Sequence, residues 1–359
     1  MFCQHAVISR LARLIVHAVR FVVLGVVVWG CSSDNRIPIV VYSPHGKEML
    51  VEFEKLYERS HPGHDVRWMD MGSQDVLDRL RTERTNPQAD VWWGAPMTTF
   101  DRAAQEGLLA PYHPSWKEKV RAEFRHNGGY WYGTFITPEV ILYNTRLVAE
   151  SEVPRDWDDL LDPAWKGKII VRYPVASGTM RIIFGAMILR EVARGGTVSD
   201  GFAWLQRLDA NTKTYAANPT QLYLKIAREE GSISLWNLPD AVIQRELNGY
   251  PFGYVIPRSG TPLITDGIAI VNGARHPSAA RQFYEFVTSA ESLILQAEKF
   301  YRIPARLDIE KDRLPAWMRD IQISPLPIDW DTLAANEQRW MQEWDDRVKG
   351  TGSALTVDR

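Results

Sequence analysis

Read as a pattern of apolar and polar positions, the chain switches repeatedly between a short apolar run and a 3.6-residue period. Apolar and β-branched residues at 37–42 predict a strand, and Met49, Phe53, Leu56 and Tyr57 then share one face of a helix over 47–59. His61-Pro62-Gly63 stops that helix. A second strand at 65–69, a helix at 74–83 and a third strand at 90–93 follow, and Pro96 opens a helix that Gly107 closes. Residues 131–135 and 139–143 read as two strands leaving this series. A new series starts with a strand at 168–172 and a helix at 178–193, with helical stretches at 201–208 and 221–229, a strand at 232–236, a helix after Pro239 and a strand at 252–256. Residues 263–271 form a returning strand, 276–288 and 290–299 are helices, and a polar, tryptophan-studded tail turns helical from Trp330.

Strands alternating with helices predict an α/β fold with mostly parallel sheets covered by helices. Two series joined by two crossings, near 134–137 and 257–265, predict two lobes with a hinge between them. The expected organisation is a leader at 1–30, a tether at 31–36, lobe 1 from 37–134 and 263–305, lobe 2 from 138–258, and a C-terminal helical tail at 306–359. Ligands in open α/β sheets sit outside the carboxyl ends of the strands. Two facing lobes therefore line one cleft with strand ends and helix starts.

Composition narrows the classes. At 359 residues the chain is long enough for two domains, and 45% apolar with 24% charged residues is a globular composition. The formal net charge is −2, and Arg10, Arg13 and Arg20 all lie in an acid-free leader, so the body is more acidic still. A broad nucleic-acid surface needs clustered Lys and Arg and is not expected. Cys3 and Cys31 are the only cysteines, so the body beyond Cys31 has no disulfide and no thiol nucleophile. The histidines form no HExxH pair, and no nucleophile, base or metal cluster appears at a recognisable spacing. An enzyme is not expected, nor a cofactor or a metal.

The leader carries those arginines before a short apolar core at 21–29. Arg20 and His17 cut the apolar run well below the roughly 20 residues that span a bilayer, which favours a cleavable signal over a membrane helix. It ends Val-Val-Trp-Gly-Cys-Ser-Ser. This resembles a bacterial lipoprotein cleavage site, with Cys31 as the lipidated first residue, although Trp29 is bulkier than such sites usually hold.

Four turns bring small or hydroxyl residues to helix starts: Tyr42-Ser43-Pro44-His45-Gly46, Gly72-Ser73-Gln74, Trp93-Gly94-Ala95-Pro96 and Ala176-Ser177-Gly178-Thr179. Unpaired N–H groups and the positive dipole end there receive an anionic oxygen. Ser43, Ser73 and Ser177 are equally readable as plain helix caps, and Trp93 as core. Asn218, Trp236 and Asp240 complete the candidate set, Trp236 as a stacking or packing ring and Asp240 as a ligand group or a dipole partner.

These same turns, with Val41-Tyr42-Ser43-Pro44-His45-Gly46-Lys47-Glu48, Ala89-Asp90-Val91-Trp92-Trp93-Gly94-Ala95-Pro96 and Asp266-Gly267-Ile268-Ala269-Ile270-Val271, resemble the ferric-ion and phosphonate type of extracellular solute-binding proteins. The resemblance runs from about Ile39 to Arg306. It implies a two-lobed periplasmic-binding-protein fold of type II, a monomer that feeds a membrane permease and its ATPase. Iron-binding members carry adjacent tyrosines where this chain reads Ser234-Leu235-Trp236-Asn237-Leu238-Pro239-Asp240. His45 falls near their iron-ligand histidine, but the Ser-Gly-Thr turn matches the segment that holds an anion. The expected ligand is therefore an anionic organic molecule such as a phosphonate or phosphate ester, with ferric ion as the alternative.

Overall fold

The computed structural model describes residues 35–351; the leader, Cys31 and residues 352–359 lie outside them. Strand β1 (Ile37–Ser43), helix α1 (Lys47–Ser60), β2 (His64–Asp70), α2 (Ser73–Thr82), β3 (Val91–Pro96), α3 (Met97–Gln105) and β4 (Leu109–Ala110) come first. The long β5 (Tyr132–Asn144) leads to β6 (Ile169–Arg172), α4 (Gly178–Ala193), α5 (Val198–Asn211), β7 (Thr212–Ala216), α6 (Pro219–Ala227), β8 (Ile233–Asn237), α7 (Leu238–Asn248) and β9 (Phe252–Val255). Then follow β10 (Leu263–Val271), α8 (Pro277–Val287), α9 (Ala290–Phe300), β11 (Ile303–Pro304), α10 (Ala316–Asp320) and α11 (Trp330–Arg347).

The strands hydrogen-bond in the order β2-β1-β3-β10-β5-β8-β6-β7, with β9 and β11 added on β5 and β4 on β10. Parallel pairs lie toward the ends, β1 with β3 and β6 with both β7 and β8. The crossing strands in the middle are antiparallel. Tyr132 to Pro138 of β5 pair with β10, whereas Glu139 to Tyr143 pair with β8. One strand thus belongs to two half-sheets: the first holds β1 to β4, β10 and β11, the second β6 to β9.

The sequence reading broke β5 into two strands, but the structure shows one of 13 residues. Pro138 cannot donate, yet it sits opposite Leu263, and the Glu139 N–H takes up the ladder by donating to Pro262 O at 3.2 Å. The sequence reading also missed β7. Its Thr-Lys-Thr-Tyr-Ala sequence is a half-buried edge strand paired with β6, so no apolar run marks it.

Adjacent Trp92 and Trp93 both belong to the core. Alternation sends Trp93 to the face packed by Phe53 and Phe283, and Trp92 to the face packed by Phe100. In the second half, α4 is buried nearly all round, between the sheet residues Ile169 to Val171 and the tail residues Leu333, Trp340 and Trp344. The polar tail is therefore part of that core.

Candidate functional site

Five helices, α1, α2, α4, α6 and α7, begin at one cleft between the half-sheets, a cavity of about 680 Å³ whose lining includes Lys47, Ser73, Gly178, Pro219 and Asn237. Each start follows a strand whose carboxyl end faces the cleft, which is where open α/β sheets receive ligands. A groove of about 690 Å³ lies at the opposite ends of β6 and β8, beside Lys168 and Ser232, and gathers no helix N-termini. The cleft is therefore the functional candidate.

One end of the cleft gathers a guanidinium and the starts of several helices. Arg172 closes the apolar strand β6 and is only 4% exposed, yet it lines the cleft. Its guanidinium donates to Ala216 O at 3.3 Å and Ala176 O at 3.4 Å, and among the described residues its Nε has no partner and it forms no ion pair. Burial lowers its pKa while Asp75 raises it; the group stays charged. Beside it, Ser177 caps α4 by accepting from Met180 N at 3.3 Å, which leaves its O–H free to donate. The N–H groups of Gly178 and Thr179 precede the first helical bond, Arg181 N to Ser177 O. Asn218, the cap of α6, and Ser73 at the start of α2 complete this end.

The other end is acidic. Asp266 sits at a bulge where β10 shifts register against both β3 and β5, which turns its side chain to the cleft. Thr137 donates to its carboxylate, and burial lifts its pKa to about 6. Glu139 lies two residues on from Thr137, hence on the same face of β5. It is fully buried with neither carboxylate oxygen hydrogen-bonded. Desolvation, then Asp266 and Asp240, push its pKa well up. Asp240 accepts from Tyr223, Trp236 and Asn237 at 3.0, 3.2 and 3.0 Å, and from Arg302 of the first half at 3.1 Å. Asp70 lines this end as well. His45 is 8% exposed, and its Nε2 has no partner. Burial, then Arg302, hold its pKa well down, so the ring is neutral.

Of the residues singled out from sequence, His45, Ser73, Ser177, Gly178, Thr179, Asn218, Trp236 and Asp240 meet at this cleft. Ser43, Gln74, Trp93 and Gly94 are not among its lining. Ser43 is buried and accepts from the His45 N–H at 3.2 Å, and Gln74 turns along its helix to Asp78 at 3.0 Å. Trp93 is core. Gly94 has a φ of 99°, and a Cβ there would lie 2.2 Å from His45 Cε1, so it makes room for the imidazole. Sequence reasoning missed Arg172, Arg302, Asp266, Thr137 and Tyr223. Only Arg172 left a signal, a charge ending the buried run Ile-Ile-Val-Arg.

Among the described residues no three His, Cys, Asp or Glu side chains are gathered to hold a metal, and no helix is long and apolar enough to cross a membrane. A probable ABC transporter periplasmic-binding protein of Sinorhizobium fredii is 28% identical over 92% of both chains. A putative 2-aminoethylphosphonate-binding periplasmic protein of Salmonella typhimurium is 28% identical over 79% of each. The fold matches the periplasmic binding protein AfuA of Actinobacillus pleuropneumoniae with fructose-6-phosphate bound, with a TM-score of 0.75 at 23% identity, covering 87% of this chain and 99% of that one. It also matches a ferric binding protein of Campylobacter jejuni, with a TM-score of 0.72 at 20% identity over 86% and 98%. Residues 48–324 match the family of bacterial extracellular solute-binding proteins, and this chain belongs to that family.

Proposed function

We propose that this protein captures a small organic anion of the phosphonate or phosphate-ester class that also carries a basic group, and hands it to an ABC permease and its ATPase from a lipid-anchored position at Cys31 outside the cytoplasmic membrane. The observation that carries this reading is Arg172, a buried guanidinium that forms no ion pair among the described residues, placed against the start of α4. A buried cation needs a counter-charge, and an oxyanion between Arg172, the Ser177 hydroxyl and the first N–H groups of α4 provides one. At the acidic end, Asp70 and Asp266 line the cleft and favour a protonated amine on the same ligand. The Salmonella typhimurium relative is named for 2-aminoethylphosphonate, which carries both groups.

Ferric ion has less support. Tyr223 is the tyrosine that reaches Asp240 in the cleft, but burial and that carboxylate raise its pKa well above the ordinary phenol value. A protonated phenol is a poor ligand for a hard cation, and the stretch Ser234 to Asp240, where iron-binding members carry adjacent tyrosines, has no tyrosine. Calorimetric titration of ligand-stripped protein tests the proposal. 2-Aminoethylphosphonate is expected to bind more tightly than ethylphosphonate, and both more tightly than ethylamine. Silence with all three, together with tight ferric binding, would overturn it.

A further inference from the structure

Helix α11 lies beyond the residues that match the family, 48–324, and its composition alone explains neither its place nor its purpose. Its buried positions are Leu333, Glu337, Trp340, Met341 and Trp344, a single stripe at helical spacing. The apolar members of that stripe pack on the second half, while Trp330 at the start of the helix packs against residues of both halves. Leu333 lies so close to Gly185 of α4 that a Cβ there would be 2.3 Å from its Cδ1. Trp344 meets Phe184 edge-on at 5.4 Å and Tyr215 of β7 at 5.0 Å, and Asp345 accepts from Tyr173 at 2.8 Å.

Glu337 breaks the stripe. It is 1% exposed, and its carboxylate faces the first half, where it accepts from Arg102 and, at 3.2 Å, from Thr98, both on α3. Arg181 of α4 adds a second favourable charge and keeps its Nη1 without a partner. Helices α3 and α4 start at the two lips of the cleft, at Pro96 and Gly178, which touch in this conformation. Thus Glu337 of α11 stands beside the first turns of the two helices whose starts meet at the cleft, at Thr98 of α3 and Arg181 of α4.

We propose that α11 is a latch helix: its apolar stripe anchors it permanently to the second half, while Glu337 fastens it reversibly to Arg102 and Thr98 of the first half and so sets how firmly the cleft stays shut. The division of chemistry suits the task. Separating the apolar stripe from α4 would expose several large side chains at roughly 25 cal/mol per Å², so that contact persists when the halves part. The polar contact is different, because Arg102 and Thr98 regain water on separation and Glu337 keeps Arg181 beside it, so no charge is left buried alone. The inference rests on reading the protein as a two-half binding protein, and is independent of which ligand it takes.

The test needs no ligand. With Cys3 and Cys31 changed to serine in the full chain in detergent, cysteines introduced at exposed Asp78 of α2 and Thr220 of α6 carry spin labels on the two sides of the cleft. Electron–electron distance distributions are then compared for the parent, Glu337→Gln, Arg102→Gln and the double variant. Each single change is expected to raise the ratio of long to short distances about tenfold, the scale of one charge-assisted hydrogen bond. The double variant should do no more than either single one, because both remove the same contact. A parent-like distribution in both single variants overturns the latch, whatever their melting temperatures, because a merely structural ion pair changes stability without moving the halves. Equal and additive shifts from the two changes also overturn it, since they would act by separate routes.

Discussion

Gly178 of α4 meets Pro96 and Ser73 across the cleft so closely that a Cβ at position 178 would lie 3.0 Å from Pro96 Cγ and 2.8 Å from Ser73 Oγ. The two halves touch where the ligand's anion is expected to sit, and a hydrogen atom is all that the contact admits. Gly178→Ala should therefore hold the lips apart and weaken 2-aminoethylphosphonate binding about tenfold. Alanine in a first helical turn costs the fold little. Calorimetry checks this, and unchanged affinity would show that the halves do not close at this contact.

Arg172→Gln removes the buried guanidinium and leaves a shorter, neutral side chain that still donates hydrogen bonds. Hydrogen bonds to charged groups are worth roughly 1.5–3 kcal/mol, so affinity should fall about ten- to a hundredfold. Because Arg172 is buried and forms no ion pair among the described residues, its loss should leave the melting temperature of the ligand-free protein unchanged or raised. A drop in melting temperature with affinity intact would make Arg172 a structural residue.

Asp266 gives a pH signature. Its pKa is raised from 3.8 to about 6 in the folded protein by burial. Between those values the folded state binds more protons than the unfolded one, so stability falls as pH rises through that window and stays lower above it. Glu139 is shifted in the same direction. Asp266→Asn should raise the melting temperature of the ligand-free protein at pH 7.5, with the gain shrinking toward pH 4. The same variant should lose the preference for 2-aminoethylphosphonate over ethylphosphonate. Melts across that range check the first expectation, and a gain that grows toward acid pH would contradict the sign.

Cys31 carries the expected anchor. Expressed with its leader, the protein should enter the detergent phase and show acyl mass on Cys31, and Cys31→Ser should release it in soluble form. Equal membrane retention of the variant would point instead to an uncleaved apolar leader.

Much of this arrangement was legible before any coordinates. The strands at 37–42 and 263–271 and the helix at 178–193 are marked by runs and periods with clear stops, because each buries a continuous face and is bounded by glycine, proline or a capping serine. Ser177 and Gly178 were readable as a helix start for the same local reason. Other features were not legible: strand β7 has a polar edge sequence, the proline in β5 reads as a break between two strands, and α11, read as a helix from Trp330, hides five buried residues in a polar composition.

Within the site, the division follows the range of the interaction that fixes each residue. Caps such as Asn218 and Ser177 act within three residues, so sequence alone places them at helix starts. Asp240 was read from its position after Pro239, and that reading was local too. What it binds in the fold, Arg302 from the far half, depends on a separation of 62 residues. Asp266 and Thr137 meet across 129 positions, and Glu337 and Arg102 across 235. The sequence by itself determined the alternation of strands and helices and the helix start at Ser177, because these rest on periodicity and capping. Only the tertiary structure decided that Arg172 lies buried without an ion pair among the described residues, that Asp70, Asp240 and Asp266 share the opposite end, and that the tail touches both halves. Burial and charge pairing are properties of the packed chain, and no local pattern encodes which distant group will stand beside a given charge.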